Sequence, residues 1–183
     1  MGQWTLAGEN LADTMPRPKG PTMTKEFEGD LVAREIRIAM VISRFNDYLT
    51  SHMRDAAVAR YRQLGGNVEK LDIAHVPGSL ELAVTAKSMA ETGRYDVIVC
   101  LGCVIRGETD HYDHVVEQTA RGLQEVGTRT GVPCISGVVT AETLEQAINR
   151  AGAKMGNQGA TAMMAGIEMA NLIKKVGHPR GKA

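Results

Sequence analysis

Four short apolar runs, each leading into a longer stretch with helical spacing, constrain this chain more than any other feature. IRIAMVIS (36–43), VEKLDIAHV (68–76), DVIVCLGCV (96–104) and VPCISGVV (132–139) have the length and the Ile/Val content of strands in a buried sheet. Helical stretches follow the first three over about residues 50–64, 79–91 and 110–128, and two more close the chain over 141–151 and 159–176. In the first helix Met53, Ala57, Tyr61 and Leu64 recur on one face, and Gly65 and Gly66 end it. In the last, Ala160, Met163, Met164, Ile167 and Ala170 form an apolar face. Strand and helix in regular alternation imply right-handed crossovers, a parallel sheet and a helical layer on each side of it. The expectation is an α/β protein, a three-layer α/β/α sandwich on a mostly parallel four-stranded sheet, with a candidate N-terminal edge strand over residues 26–34. The 183 residues fit one domain. Residues 1–24 show no sustained period and carry Pro16, Pro18 and Pro21, so they are expected to be a flexible extension to a single domain over 25–183.

A ligand of such a sheet sits outside the carboxyl ends of the strands. That rule singles out the loops at 43–49, 75–81 and 104–111. Phe45 lies between polar neighbours in the first; it is either a core aromatic or an exposed ring able to stack on a flat heterocycle. Glu81 follows Pro77-Gly78 in the first turn of a helix, where a carboxylate is favoured with or without a ligand. The third loop belongs to LGCVIRGETDHYDH (101–114), which admits three readings. Asp110, His111, Asp113 and His114 could hold a metal, although no further ligand stands at a recognisable spacing. Gly107 and the amides of Glu108 and Thr109 could cradle a phosphate at a helix start, with Arg106 or Arg150 as the cation that offsets Glu108 and Asp110. The stretch could also be an acidic first helical turn facing water.

Several classes are disfavoured. Lysine and arginine balance aspartate and glutamate at 21 each, which gives no reason to expect a nucleic-acid or membrane partner. No apolar run approaches the roughly 20 residues of a membrane span. Three cysteines suit a reducing compartment, so a soluble, cytoplasmic protein is expected. Cys100 and Cys103 form a C-x-x-C inside a strand; side chains three apart there face opposite ways, so buried apolar thiols are expected rather than a redox pair or zinc ligands.

Taken in order, RFN (44–46), VPGSLE (76–81), LGCVIRGETDHYDH (101–114), TLEQAINRAG (143–152), GNQG (156–159) and IEMANL (167–172) closely resemble the motifs of the lumazine synthase family, over about residues 28–175. The resemblance implies a flavodoxin-like fold, with an N-terminal edge strand that could pair with a neighbouring subunit. It implies condensation of 5-amino-6-(D-ribitylamino)uracil with 3,4-dihydroxy-2-butanone 4-phosphate to 6,7-dimethyl-8-ribityllumazine in riboflavin biosynthesis. Phosphate and water are released, and neither cofactor nor metal takes part. By the same likeness Phe45 stacks on the pyrimidine, Ser79, Leu80 and Glu81 hold the ribityl chain, and Cys103, Val104 and Ile105 line the ring's edge through backbone groups. Glu108 and Thr109 offer amides to the phosphate, His111 shuttles protons, and Arg150 clamps the phosphate from the adjacent subunit of a pentamer, which in some relatives builds icosahedral shells. Three positions depart from the family's pattern. Leu80 replaces an aromatic, Ser136 replaces a phenylalanine that covers the substrate from the neighbour, and Gln158 replaces a lysine. The last two motivate a rival reading, a shell-forming or lumazine- or flavin-binding homologue with weakened catalysis.

Overall fold

The structure, a computed structural model, describes residues 24–108 and 111–177. In chain order the elements are β1 (Ile38–Ser43), α1 (Asp47–Gln63), a 3-10 turn (Val68–Lys70), β2 (Asp72–Val76), α2 (Leu82–Glu91), β3 (Val97–Ile105), α3 (His111–Thr130), β4 (Cys134–Ala141), α4 (Leu144–Arg150) and α5 (Gln158–Val176). The strands form one parallel sheet in the order β2-β1-β3-β4. The chain leaves β1 in one direction for β2, then returns across it to β3, so the strand order switches between β1 and β3.

Both central strands are buried on both faces, and their alternating side chains feed two separate cores. Ile38, Met40 and Ile42 of β1, with Val97, Val99, Leu101 and Cys103 of β3, pack under α1, α4 and α5. Ala39 and Val41, with Ile98 and Cys100, pack under α2 and α3. This division is the period-two geometry of a strand made visible. It also settles the C-x-x-C: Cys100 and Cys103 lie in different cores.

Where boundaries shift from those expected, a local hydrogen bond explains it. The run at 68–76 is broken because the Asn67 side chain accepts from the Glu69 amide (3.0 Å), turning the chain before β2 begins. The helix expected from residue 79 begins at Leu82, since 79–81 form the turn that delivers its first amide to the Ser79 carbonyl. Thr143 caps α4 by accepting from the Gln146 amide, while the Gln146 side chain reaches back to the Glu142 amide, a close variant of the capping box.

One expectation is corrected. Residues 26–34 add no strand to this chain's own sheet; residues 28–32 instead lie against α5. The Asn171 side-chain amide donates to the carbonyls of Asp30 (2.9 Å) and Val32 (3.0 Å), and Lys175 donates to the Glu28 carbonyl (3.0 Å). The carbonyls of Glu28, Asp30 and Val32 are satisfied by these α5 side chains. Gly29 permits the approach, since a β-carbon there would lie 2.2 Å from the Glu168 carbonyl oxygen. The expected extension falls almost wholly on residues outside the described ones.

The two helices on one face are held closely where α5 begins. A β-carbon at Gly159 would lie 2.0 Å from the Met53 carbonyl oxygen in α1, a backbone atom that cannot swing aside. Gly159→Ala should therefore force α5 away from α1 and destabilise the protein by about 1–3 kcal/mol, the range for overpacking. Urea denaturation of variant and parent measures the difference, and an unchanged midpoint would show that the helices adjust without cost.

Candidate functional site

β3 outlasts β1, and the site is built in the gap. The register pairs Ile42 with Leu101, so residues 103–105 project past the end of β1 while remaining paired with Val139, Thr140 and Ala141 of β4. The Arg106 amide continues toward β4 by donating to the Ala141 carbonyl (2.9 Å). Since peptide groups alternate along a strand, those of Cys103 and Ile105 face the vacated side. The Cys103 carbonyl there accepts from the Asn46 side-chain amide (2.9 Å), and Ile105 is left with its N–H and C=O directed into the gap. Burial pushes the Cys103 thiol up to about 11, so it is a neutral packing group rather than a nucleophile.

Asn46 organises the first loop. It is the one non-glycine residue with positive φ among the described residues (φ 59°, ψ 44°), a left-handed conformation that asparagine tolerates better than most side chains. That twist starts α1 directly behind Phe45 and leaves the phenylalanine ring 67% exposed. Thr50 fastens the turn by donating to the Ser43 carbonyl (2.9 Å). The Arg44 amide donates to the Val76 carbonyl (2.8 Å) and the Phe45 amide to the Pro77 carbonyl (3.1 Å), which ties the first loop to the second. The loops after β1 and β2 are thus linked by hydrogen bonds to one another, and the first of them to the end of β3.

In the second loop Ser79 is buried and Leu80 exposed. Gly102 makes room for the serine, because a β-carbon on β3 at that point would lie 2.9 Å from its Oγ. Glu81 bends back so that Oε2 accepts from the Gly78 amide (2.9 Å), which fixes the carboxylate at the mouth of the loop. In the third loop Gly107 and Glu108 are exposed, and no atom lies within 4 Å of a β-carbon built on Gly107. Thr109 and Asp110 lie outside the described residues. His111 is the first residue of α3, exposed at a helix end whose unpaired amides favour an anion. Its ring centroid is 6.3 Å from that of His114, and the described residues contain no group of three or more His, Cys, Asp or Glu able to hold a metal.

Arg106 departs from expectation. It is not a free cation awaiting phosphate: its two Nη atoms donate to the Asp113 carboxylate (2.7 and 3.0 Å) and Nε to Glu142 (2.6 Å), while its guanidinium carbon stands 4.1 Å from the centre of the Tyr112 ring. The pairing with Arg106 holds the Asp113 carboxyl below its ordinary value. Charge spacing alone does not reveal which acids an arginine selects, and neither Asp113 nor Glu142 stood out as its partner. Arg150, at the end of α4, is exposed and forms no ion pair among the described residues.

Within one chain the fold gathers Phe45, Ser79, Leu80, Glu81, Cys103, Val104, Ile105, Glu108 and His111 at the carboxyl edge of the sheet. Three expected residues stand apart. Ser136 pairs with Cys100, five residues back from the Ile105–Ala141 pair and so roughly 17 Å below the rim at a strand's rise per residue. Arg150 and Gln158 flank a connection on the α1/α5 side of the sheet. Asn157 fixes that connection by donating to the carbonyls of Ala151 (2.7 Å) and His52 (3.3 Å) and capping α5.

The fold is that of a doubly wound α/β protein, and the rim stands at the switch point of its sheet, where such folds commonly place a ligand. A family model for 6,7-dimethyl-8-ribityllumazine synthase matches residues 35–174, well over half of the chain. The chain belongs to that family. No helix among the described residues is long and apolar enough to cross a membrane.

If Asn46 sets the rim, its two contributions separate by substitution. Asn46→Ala should lose both the bond to Cys103 and the tolerance of positive φ, costing about 2–3 kcal/mol in all. Asn46→Gly should lose only the bond, at about 1 kcal/mol. Denaturant unfolding of both variants gives the comparison, and equal losses would argue against the conformational part.

Proposed function

We propose that this protein condenses 5-amino-6-(D-ribitylamino)uracil with 3,4-dihydroxy-2-butanone 4-phosphate to 6,7-dimethyl-8-ribityllumazine, acting as a transferase of riboflavin biosynthesis. The observation that carries the reading is the rim itself, in a member of this family: an exposed aromatic ring tied by hydrogen bonds to the end of a strand that outlasts its neighbour, with a helix start bearing histidine beyond that strand. The Phe45 ring stacks on the pyrimidine, whose polar edge meets the Ile105 peptide groups and the backbone of residues 103–105. Ser79, Leu80 and Glu81 receive the ribityl chain. Glu108 and Thr109 offer amides to the phosphate at the start of α3.

Holding two substrates in one place removes much of the barrier to joining them. Attack of the amine on the ketone and loss of water to an imine need a group that both gives and accepts a proton near neutrality. His111 is placed to do so. Elimination of phosphate leaves an anion, which amides at a helix start and an arginine stabilise.

As the family likeness implies, Arg150 supplies that arginine from a second copy of the chain; in their own subunit Arg150, Gln158 and Ser136 all stand away from the rim. Assembly to a pentamer, and to shells of pentamers, fits surfaces that a lone chain leaves open. β2 has an unpaired outer edge, and a cleft of about 540 Å³ beside it is lined by Val58, Leu71 and Ile73. A neighbour's residues 26–34 are the candidate to cover that edge. The rival reading, a shell or binding protein with weakened catalysis, draws on Ser136 and Gln158.

Both substrates mixed with purified protein, and lumazine followed by absorbance against the uncatalysed background, test the reaction. His111→Ala should lower turnover by about 10²–10⁴-fold, the range for general acid–base catalysis. Arg150→Ala should lower kcat/KM by roughly 10–100-fold, the worth of a charge-assisted contact. Subunits carrying the two substitutions, unfolded and reassembled together, should regain activity that neither has alone. No lumazine above background from an assembled wild-type protein would bring the rival forward, and no recovery on mixing would place Arg150 outside a shared site.

A further inference from the structure

We infer that Arg106 is a positioning residue, which binds no substrate and instead fixes the first turn of α3 against the sheet. The inference rests on the proposed reaction for its catalytic consequence, and on geometry alone for the tie. Arg106 is the first residue beyond β3, and its own amide still belongs to the sheet through Ala141. From that anchored position the side chain reaches both neighbouring segments. It forks onto Asp113 in the first turn of α3, stacks over Tyr112 in the same turn, and turns Nε to Glu142 just past β4. The ends of β3 and β4 and the start of α3 are joined through one guanidinium. His111 belongs to the same helical turn as Tyr112 and Asp113, so the same contacts orient the turn that carries it.

Single ion pairs this exposed contribute little to folding. A two-pronged fork supported by ring stacking and a second carboxylate restricts orientation more than it adds stability, and a lysine cannot reproduce it. The guanidinium also offsets one of the two negative charges of Asp113 and Glu142 beside a helix start where an anion is to bind, which lessens their opposition to phosphate.

Arg106→Met should raise KM for the sugar phosphate and lower kcat together, a loss of roughly 10–100-fold in kcat/KM, while KM for the pyrimidine stays within about two-fold. Arg106→Lys should recover only part of this. Asp113→Ala cuts the same tie from the exposed side of α3, and the double variant should be scarcely worse than either single one. Independently of catalysis, amide hydrogen exchange over residues 112–116 should quicken in Arg106→Met. A fall in kcat with both KM values unchanged would mean a merely structural role and overturn the inference. So would full additivity in the double variant, or unchanged exchange. A wild-type protein that forms no lumazine yet shows the exchange change would overturn the reaction and leave the tie standing.

Discussion

The rest of the site depends on a mismatch in strand length. β3 continues after β1 has ended, so peptide groups that would be paired in the middle of a sheet are left facing outward at its rim. Unpaired backbone groups away from water are costly, and they must find partners. Asn46 meets part of that demand by giving its side-chain amide to Cys103, which in turn fixes where the chain turns after β1 and where the Phe45 ring points. The remaining demand, at Ile105, is what a planar ligand with its own donors and acceptors can satisfy. A sheet with strands of equal length would present neither the gap nor the need.

The same rim keeps its charges in check. Acids crowd the start of α3 and the end of β4, where the proposed reaction would bring an anionic substrate. Arg106 takes two of them, Asp113 and Glu142, and Glu81 turns its carboxylate onto the Gly78 amide. His111 stands exposed at the helix start, close in sequence to the exposed Glu108, and Arg150 is exposed on a separate surface. Separation of the arginine from the rim is what makes a second copy of the chain part of the proposed chemistry rather than an accessory to it.

The layered fold was legible because it rests on periodicity. Period two in β1 and β3 divides their side chains between two cores, and spacings of four put Met53, Ala57 and Tyr61 on the buried face of α1. Features set by contacts between distant segments were not legible. Residues 26–34 were the expected edge strand, yet Asn171 and Lys175, some 140 positions later, take up the carbonyls of Glu28, Asp30 and Val32. Cys100 was weighed against Cys103 along the chain, whereas its sulfur neighbour is Cys134 across the ladder, 3.8 Å away; that contact and burial push the Cys100 thiol up. Asn46 could have been suspected, since asparagine after a strand and before an acidic helix start is suited to a left-handed turn. The destination of its side chain could not.

The departures from the family's pattern can be sorted by what each position supplies. Leu80 is exposed on the rim, so replacing an aromatic by leucine keeps apolar area and gives up stacking geometry. Ser136 and Gln158 act, in the proposed assembly, only through a neighbouring subunit, where they forgo a covering ring and a positive charge. None of the three carries a proton, and none holds the Asn46, Arg106 or Asn157 contacts that set the rim and the Arg150 connection. Their effect should fall on how tightly the pyrimidine and phosphate are held, while the groups that move protons and stabilise the leaving phosphate keep their places. Weakened binding with intact chemistry shows in KM, and an enzyme with that fault still turns over at saturating substrate, which a scaffold does not.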